Sequence, residues 1–296
     1  VIALWQYDFM RIALIMAVLI GLTAPAVGTF IVQRRLALLG DGVGHVALTG
    51  VGLGLLTRTS PVLSAVVVSA LGAIAIEVLR ARSRTGGDVA LALLFYGGLS
   101  GGVILTHLAG GSGAGLQAYL FGSISSVSMT DLYVIAGLSV VVLAIVVLFG
   151  RELFLLCQDE EVARASGLPV RFLSLLIAVT AAVTVVIAMR AIGLLLVSAL
   201  MVVPVAAAQQ VTRGFKTTML LAMAIGVLSA VSGLVGSFQY GIPPGPSIVL
   251  LAMTVFLAAV IAGILTRRRR TPAGRPSDEE RPRLTARRRR NAETAR

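Results

Sequence analysis

Residues 172–212 of this chain carry one charged side chain, Arg190. A bilayer crossing needs about 20 apolar residues, so this single stretch is long enough for two crossings joined by a tight hairpin, expected at Met189 to Ile192. The pattern recurs along most of the 296 residues. Nine apolar segments can be drawn, near 10–32, 38–57, 60–79, 88–108, 129–149, 171–190, 191–211, 217–238 and 246–266. Only 13% of the chain is charged and its mean hydropathy is +0.96, against about 25% charged residues in soluble domains. Water is not the solvent for such a surface, and a segment surrounded by lipid must satisfy its own backbone hydrogen bonds. The fold class expected is all-α, a polytopic transmembrane helix bundle of eight to nine spans. Eight is the count if one segment is interfacial or re-entrant. The first run lacks a basic leader and a small-residue cleavage site, and reads as a retained span.

The formal charge of +12 does not point to nucleic acid, because of where the charge sits. Arg34 and Arg35, Arg80 to Arg84, Arg151, Arg164, Arg171, Arg213, Lys216 and Arg267 to Arg270 border alternate ends of the apolar runs. With nine spans all of these fall on one side, which the positive-inside rule makes cytoplasmic. The permease domain is drawn over 1–266. Residues 267–296, rich in Pro, Arg and Glu and poor in apolar residues, are expected to form a disordered basic tail resting on anionic lipid. Cys157 is the only cysteine, so no intrachain disulfide can form; it reads as an ordinary thiol.

The second segment carries the chemistry: Gly40-Asp41-Gly42-Val43-Gly44-His45, followed by Gly50, Gly52 and Gly54. Asp41 and His45 stand at i and i+4 on one helical face. Carboxylate oxygen and imidazole nitrogen both suit first-row divalent metals, and a carboxylate inside a membrane segment normally faces a cavity, a partner or a path. The glycines let neighbouring helices approach closely. The plainer alternative is that Asp41 caps a helix and His45 only packs. Two donors also fall short of the roughly four that a metal takes. Arg34 and Arg35 precede Asp41 so closely that Asp41 belongs in the cytoplasmic half, unless residues 36–40 are themselves embedded. His107, the only other histidine, ends the fourth segment as an interfacial residue. Glu77 and Asp88 are expected to pair with the arginines of the basic loop, and Asp131 to open a helix. Pro204, inside the seventh segment, marks a site where a kink is tolerated.

A second stretch, Gln158-Asp159-Glu160-Glu161-Val162-Ala163-Arg164-Ala165-Ser166-Gly167-Leu168-Pro169, sets acids before a base, the order a helix dipole favours. Gly167 and Pro169 would end a short helix there. It is either a docking helix or a solvated connector. The sequence contains no G-x-x-x-x-G-K-[ST] phosphate loop and no H-E-x-x-H, so nothing in it signals use of ATP by this chain.

Over about residues 10–266 the chain resembles the permease subunits of bacterial ABC importers for zinc, manganese and iron. The resemblance is carried, in order, by Arg34-Arg35 with Gly40-Asp41 and His45; by Tyr119-Leu120-Phe121-Gly122-Ser123; by Asp159, Ala163 and Gly167; and by Ala191-Ile192-Gly193-Leu194-Leu195, Ser198-Ala199-Leu200 and Pro204. It implies a multi-pass protein of the bacterial cytoplasmic membrane, acting as a homodimer with a cytoplasmic ATPase that uses the ATP. An extracellular solute-binding protein would deliver the metal, which is cargo and not a permanently bound cofactor. It implies that Asp41 and His45 contact the metal, and that Asp159, Ala163 and Gly167 belong to the segment that couples the permease to its ATPase. The rival class is an ion-coupled secondary transporter, which commonly shows inverted repeats; no convincing repeat is visible.

Overall fold

The structure is a computed structural model that describes residues 8–82, 87–110, 113–123 and 128–269. Among the described residues there are eleven helices and no strand: α1 (Asp8–Gln33), α2 (Leu39–Leu56), α3 (Pro61–Arg82), α4 (Gly87–Leu108), α5 (Gly113–Phe121), α6 (Met129–Gln158), α7 (Glu160–Ala165), α8 (Val170–Ile192), α9 (Leu194–Val211), α10 (Phe215–Tyr240) and α11 (Pro244–Arg269). Nine are long and apolar enough to cross a membrane, and they coincide with the nine apolar runs. The chain is a multi-pass membrane protein. α5 and α7 are the short exceptions. The apolar pattern gives α7 from its acid-to-base order but does not single out α5, which is only 9 residues long. The chain divides after Ala259 into two units; of the second, the described part is the end of α11. Residues 270–296, and with them most of the expected basic tail, lie outside the described residues.

α1, α2 and α8 are the most buried spans, whereas α4 and α6 keep much of their surface exposed. α2 is inserted between α3 and α4, and its glycines explain how. A Cβ on Gly98 of α4 would lie 2.6 Å from the Val46 nitrogen and 2.7 Å from the His45 carbonyl carbon; a Cβ on Gly50 would lie 2.6 Å from the Ala65 Cα. The backbones are in van der Waals contact, a spacing any side chain would forbid. Thr49 Oγ1 donates to the Gly98 carbonyl at 2.7 Å and pins the pair.

These contacts also give depth. Gly98 stands at the middle of α4, and Gly72, against Val46, at the middle of α3. His45 is therefore level with the middles of α3 and α4. Asp41, one turn earlier, is about 6 Å nearer the arginine-rich face. α1 ends in a Schellman turn, with Leu36 N bonded to Ile31 O and Arg35 N to Val32 O. Arg35 occupies the left-handed position at φ 58°, and Leu39 then restarts the chain as α2. Residues 34–38 are the turn that joins the two helices, and Asp41 lies toward the end of the bundle that holds Arg34.

The hairpin between the sixth and seventh spans falls at Gly193, slightly later than Met189 to Ile192. Gly193 has φ 94° and ψ 146°, a conformation that side chains rarely adopt, and a Cβ there would collide with the Leu120 carbonyl oxygen. Pro204 lies inside α9, which continues through it.

Candidate functional site

Asp41 sits in the first turn of α2 without capping it. The N-cap is Leu38, which makes no side-chain bond, and among the described residues the Asp41 carboxylate has no hydrogen-bond or ion-pair partner. It lines a cavity of about 230 Å³ with Leu38, Gly42, Leu91, Phe95 and Tyr96. His45 is buried. Its Nδ1 lies 2.7 Å from the Asp41 backbone carbonyl. A carbonyl only accepts, so Nδ1 carries the proton and Nε2 keeps the lone pair a metal needs. The Phe95 ring packs on the imidazole with centroids 3.9 Å apart, restricting the plane in which it can turn. Ser198 adds a polar atom nearby. Its hydroxyl is buried without a partner, and it would lie 2.9 Å from a Cβ placed on Gly40. α2 thus presents an unpaired carboxylate and a tautomer-fixed imidazole within one turn of each other. Among the described residues no cluster of three or more His, Cys, Asp or Glu side chains completes a metal site. The exposed apolar side chains Leu38, Leu93 and Tyr96 lie beside the cavity.

The remaining sequence candidates separate. His107 is exposed in the last turn of α4. Glu77 pairs with Arg80 at 3.6 Å; the Asp88 side chain is outside the described residues. Cys157 is free and half-buried, its Sγ 3.7 Å from the Phe30 carbonyl. Asp131 does more than open α6. With Ser128 it forms a capping box, and it accepts a 2.5 Å charge-assisted bond from Arg190. Arg190 also donates to the Tyr119 hydroxyl at 3.1 Å. The group ties α5, α6 and the end of α8 together beside the Gly193 turn. Sequence reading had placed Arg190 at a hairpin but had no signal for its partners, which are 59 and 71 residues away.

Asp159 ends α6 and caps α7, its Oδ1 accepting from Glu161 N at 2.8 Å and Val162 N at 3.2 Å. A second Schellman turn closes α7, with Leu168 N bonded to Ala163 O and Gly167 N to Arg164 O. Gly167 holds φ 80°. Ala163 is fully buried against the bundle, whereas Val162 is 48% exposed. The outward face of α7 is therefore Glu161, Val162 and Ala165. Glu160, exposed and paired with Arg164 at 3.1 Å, also lies 3.5 Å from Arg34, which donates to Ser174 Oγ at 2.9 Å. Arg34 begins the turn that leads into Asp41, so one side chain joins α7 to the start of α2.

Residues 6–263 match the model of the ABC-3 family, described as the ABC 3 transport family. The chain is 35% identical over 268 residues to the manganese transport system membrane protein MntC of Halalkalibacterium halodurans, covering 89% of this chain and 92% of that one. It is 27% identical over 255 residues to the high-affinity zinc uptake system membrane protein ZnuB of Haemophilus influenzae, covering 86% and 98%. The solved structure of PsaBC from Streptococcus pneumoniae in complex with Fab superposes with a TM-score of 0.80 at 32% identity, covering 86% of this chain and 92% of that one. On sequence and fold together, the chain belongs to the ABC 3 transport family.

Proposed function

We propose that this protein is the membrane-spanning permease of an ATP-driven importer of a divalent transition metal, manganese or zinc foremost, in the bacterial cytoplasmic membrane. The observation that carries the reading is Asp41 and His45 one turn apart, deep in the bundle on α2, one of the three most buried spans, in a chain of this family. An uncompensated carboxylate at that depth costs several kcal/mol, and a passing dication would compensate it. Asp oxygen and His nitrogen suit manganese, zinc and iron alike. Relatives named for manganese and for zinc agree with that breadth.

Two donors are half of a tetrahedral set. A homodimer with its two-fold axis beside Leu38, Leu93 and Tyr96 would bring two Asp–His pairs together and cover those exposed apolar side chains. The chain has no phosphate-loop motif, so a separate cytoplasmic ATPase supplies the energy, docking on the outward face of α7. Glu160 and Arg34 then pass movement of α7 to the first turn of α2. An extracellular solute-binding protein delivers the metal. The chain binds no permanent cofactor; the metal is substrate.

The test is radiometal uptake in cells carrying Asp41→Ala or His45→Ala with the ATPase co-purified from the same cells. Uptake should fall by at least about tenfold, the lower end of what disturbing a metal site costs, while the ATPase stays bound. Parent-level uptake by both variants would refute the metal path.

A further inference from the structure

A second groove on the described residues is separate from the α2 cavity and is bounded at one side by Ser166 and Leu168, where α7 ends. It measures about 1100 Å³ and lies where α6 and α10 flank the end of α1. Phe30 is its floor. Val147 and Leu220, both exposed, are its two rims, and Gly150 leaves open space on the α6 wall. Further exposed apolar residues continue along the spanning parts of the same helices, Val140 and Leu148 on α6 and Leu228 on α10. At its arginine-rich end the groove turns polar. Arg151 and Lys216 are exposed and line it, and among the described residues neither has an ion-pair partner. The first turn of α10 also lines it, and its N-cap, Gly214, offers no side-chain cap, so its amides are open to an anion. Glu152 stands in the same wall with Oε2 buried and unpartnered.

We infer that this groove is a binding site for one phosphatidylglycerol molecule. Its phosphodiester would sit between Arg151, Lys216 and the α10 amides, its headgroup hydroxyls would donate to Glu152, and one acyl chain would lie along Val147 and Leu220. Charge favours this lipid. Two cations and one carboxylate leave a single positive charge, which one phosphodiester neutralises. A basic pocket between spans is the usual form of an anionic-lipid site. The buried carboxylate oxygen asks for a hydroxyl donor, which phosphatidic acid and phosphatidylcholine lack in their headgroups when ionised. Although Ser166 and Leu168 at the end of α7 bound one side of the groove, its apolar continuation along the spanning parts of α6 and α10 favours a lipid over a protein segment.

The experiment is native mass spectrometry of the full-length chain in detergent, titrated with phosphatidylglycerol, phosphatidylcholine and phosphatidic acid of matched acyl chains. The parent should retain one phosphatidylglycerol in preference to the other two. Arg151→Gln combined with Lys216→Glu should weaken that retention about tenfold or more, given about 1 kcal/mol per basic residue near an anionic lipid. Glu152→Ala should keep anionic lipid but lose the preference over phosphatidic acid. All three positions lie outside the α2 cavity and α7, so the variants are expected to hold the ATPase and to melt at the parent temperature. Equal retention of phosphatidylcholine by the parent would overturn the proposal. So would parent-level phosphatidylglycerol binding in the double variant, or equally tight binding of glycerophosphoglycerol, the headgroup without chains. If the double variant sheds the ATPase and keeps the lipid, the groove is a protein contact and the lipid assignment is wrong.

Discussion

At the residue scale, the most informative side chains are those whose polar atoms have been left unsatisfied or tied down against expectation. The Asp41 carboxylate has no partner among the described residues, whereas the His45 imidazole is held at 2.7 Å by the carbonyl one turn back and by the Phe95 ring. The first is free to take a cation and the second is already oriented for one. Phe95→Ala should therefore weaken metal uptake while leaving both ligands in place, by less than the Asp41 or His45 substitutions, since it removes only the restraint on the ring. Uptake kinetics at graded manganese concentrations measure this. The opposite case is Arg190, bonded to Asp131 and Tyr119 with both members of the ion pair mostly buried. Removing one partner of such a pair leaves an uncompensated charge, at a cost of about 3 kcal/mol. Asp131→Asn should accordingly lower the thermal midpoint of the purified protein well beyond what Glu77→Gln does, because Glu77 belongs to a neighbouring-turn pair with Arg80. A fluorescence melt of the two variants side by side reads the difference.

At the element scale, α7 is where sequence and structure inform each other most. Its termination at Gly167 and its helical order of charges were legible, because left-handed turns and charge order are set by residues near one another in sequence; its cap at Asp159 came only with the structure. Its orientation was not. Ala163, expected from the resemblance to belong to the coupling segment, faces the bundle and is fully buried; the exposed side chain is Val162. A six-residue helix has too little periodicity to reveal its buried face, and only the packing of α6 and α8 decides it. Two distinct failures should follow. Ala163→Trp overpacks the bundle and costs about 1–3 kcal/mol of stability, visible in a melt. Val162→Arg leaves the melt unchanged and reduces ATPase co-purification. Gly167→Leu strains the turn by about 1–2 kcal/mol and reduces co-purification as well. The long spans were legible to within about three residues at each end, since bilayer thickness and hydropathy specify them, except that α6 runs on to Gln158, nine residues past the expected end at 149. α5 was not, because nine residues neither span a bilayer nor repeat a pattern. The depth of Asp41 was also hidden, since it depends on which residues of α3 and α4 stand beside His45.

At the scale of the whole molecule, one glycine-rich helix among the nine candidate spans of the described residues packs against α3, α4, α8 and α9. It carries Asp41 and His45, the donors of the proposed metal path, and the turn before it is joined through Arg34 and Glu160 to the short helix α7. That arrangement makes sense for a permease driven from outside its own chain, with ligands in the path, a lever at the arginine-rich face and no phosphate loop in the sequence. On the proposed function, metal movement through this chain is powered by ATP hydrolysed on a partner. The measurement that tests it most directly is radiolabelled manganese and zinc accumulation in proteoliposomes holding this permease, its ATPase and its solute-binding protein, with ATP supplied on the ATPase side. The account predicts accumulation that requires ATP and both partners, disappears with Asp41→Ala, and is absent, along with any ATP hydrolysis, when the chain is reconstituted alone. Accumulation by the chain alone, driven by a proton or sodium gradient without ATP, would contradict it.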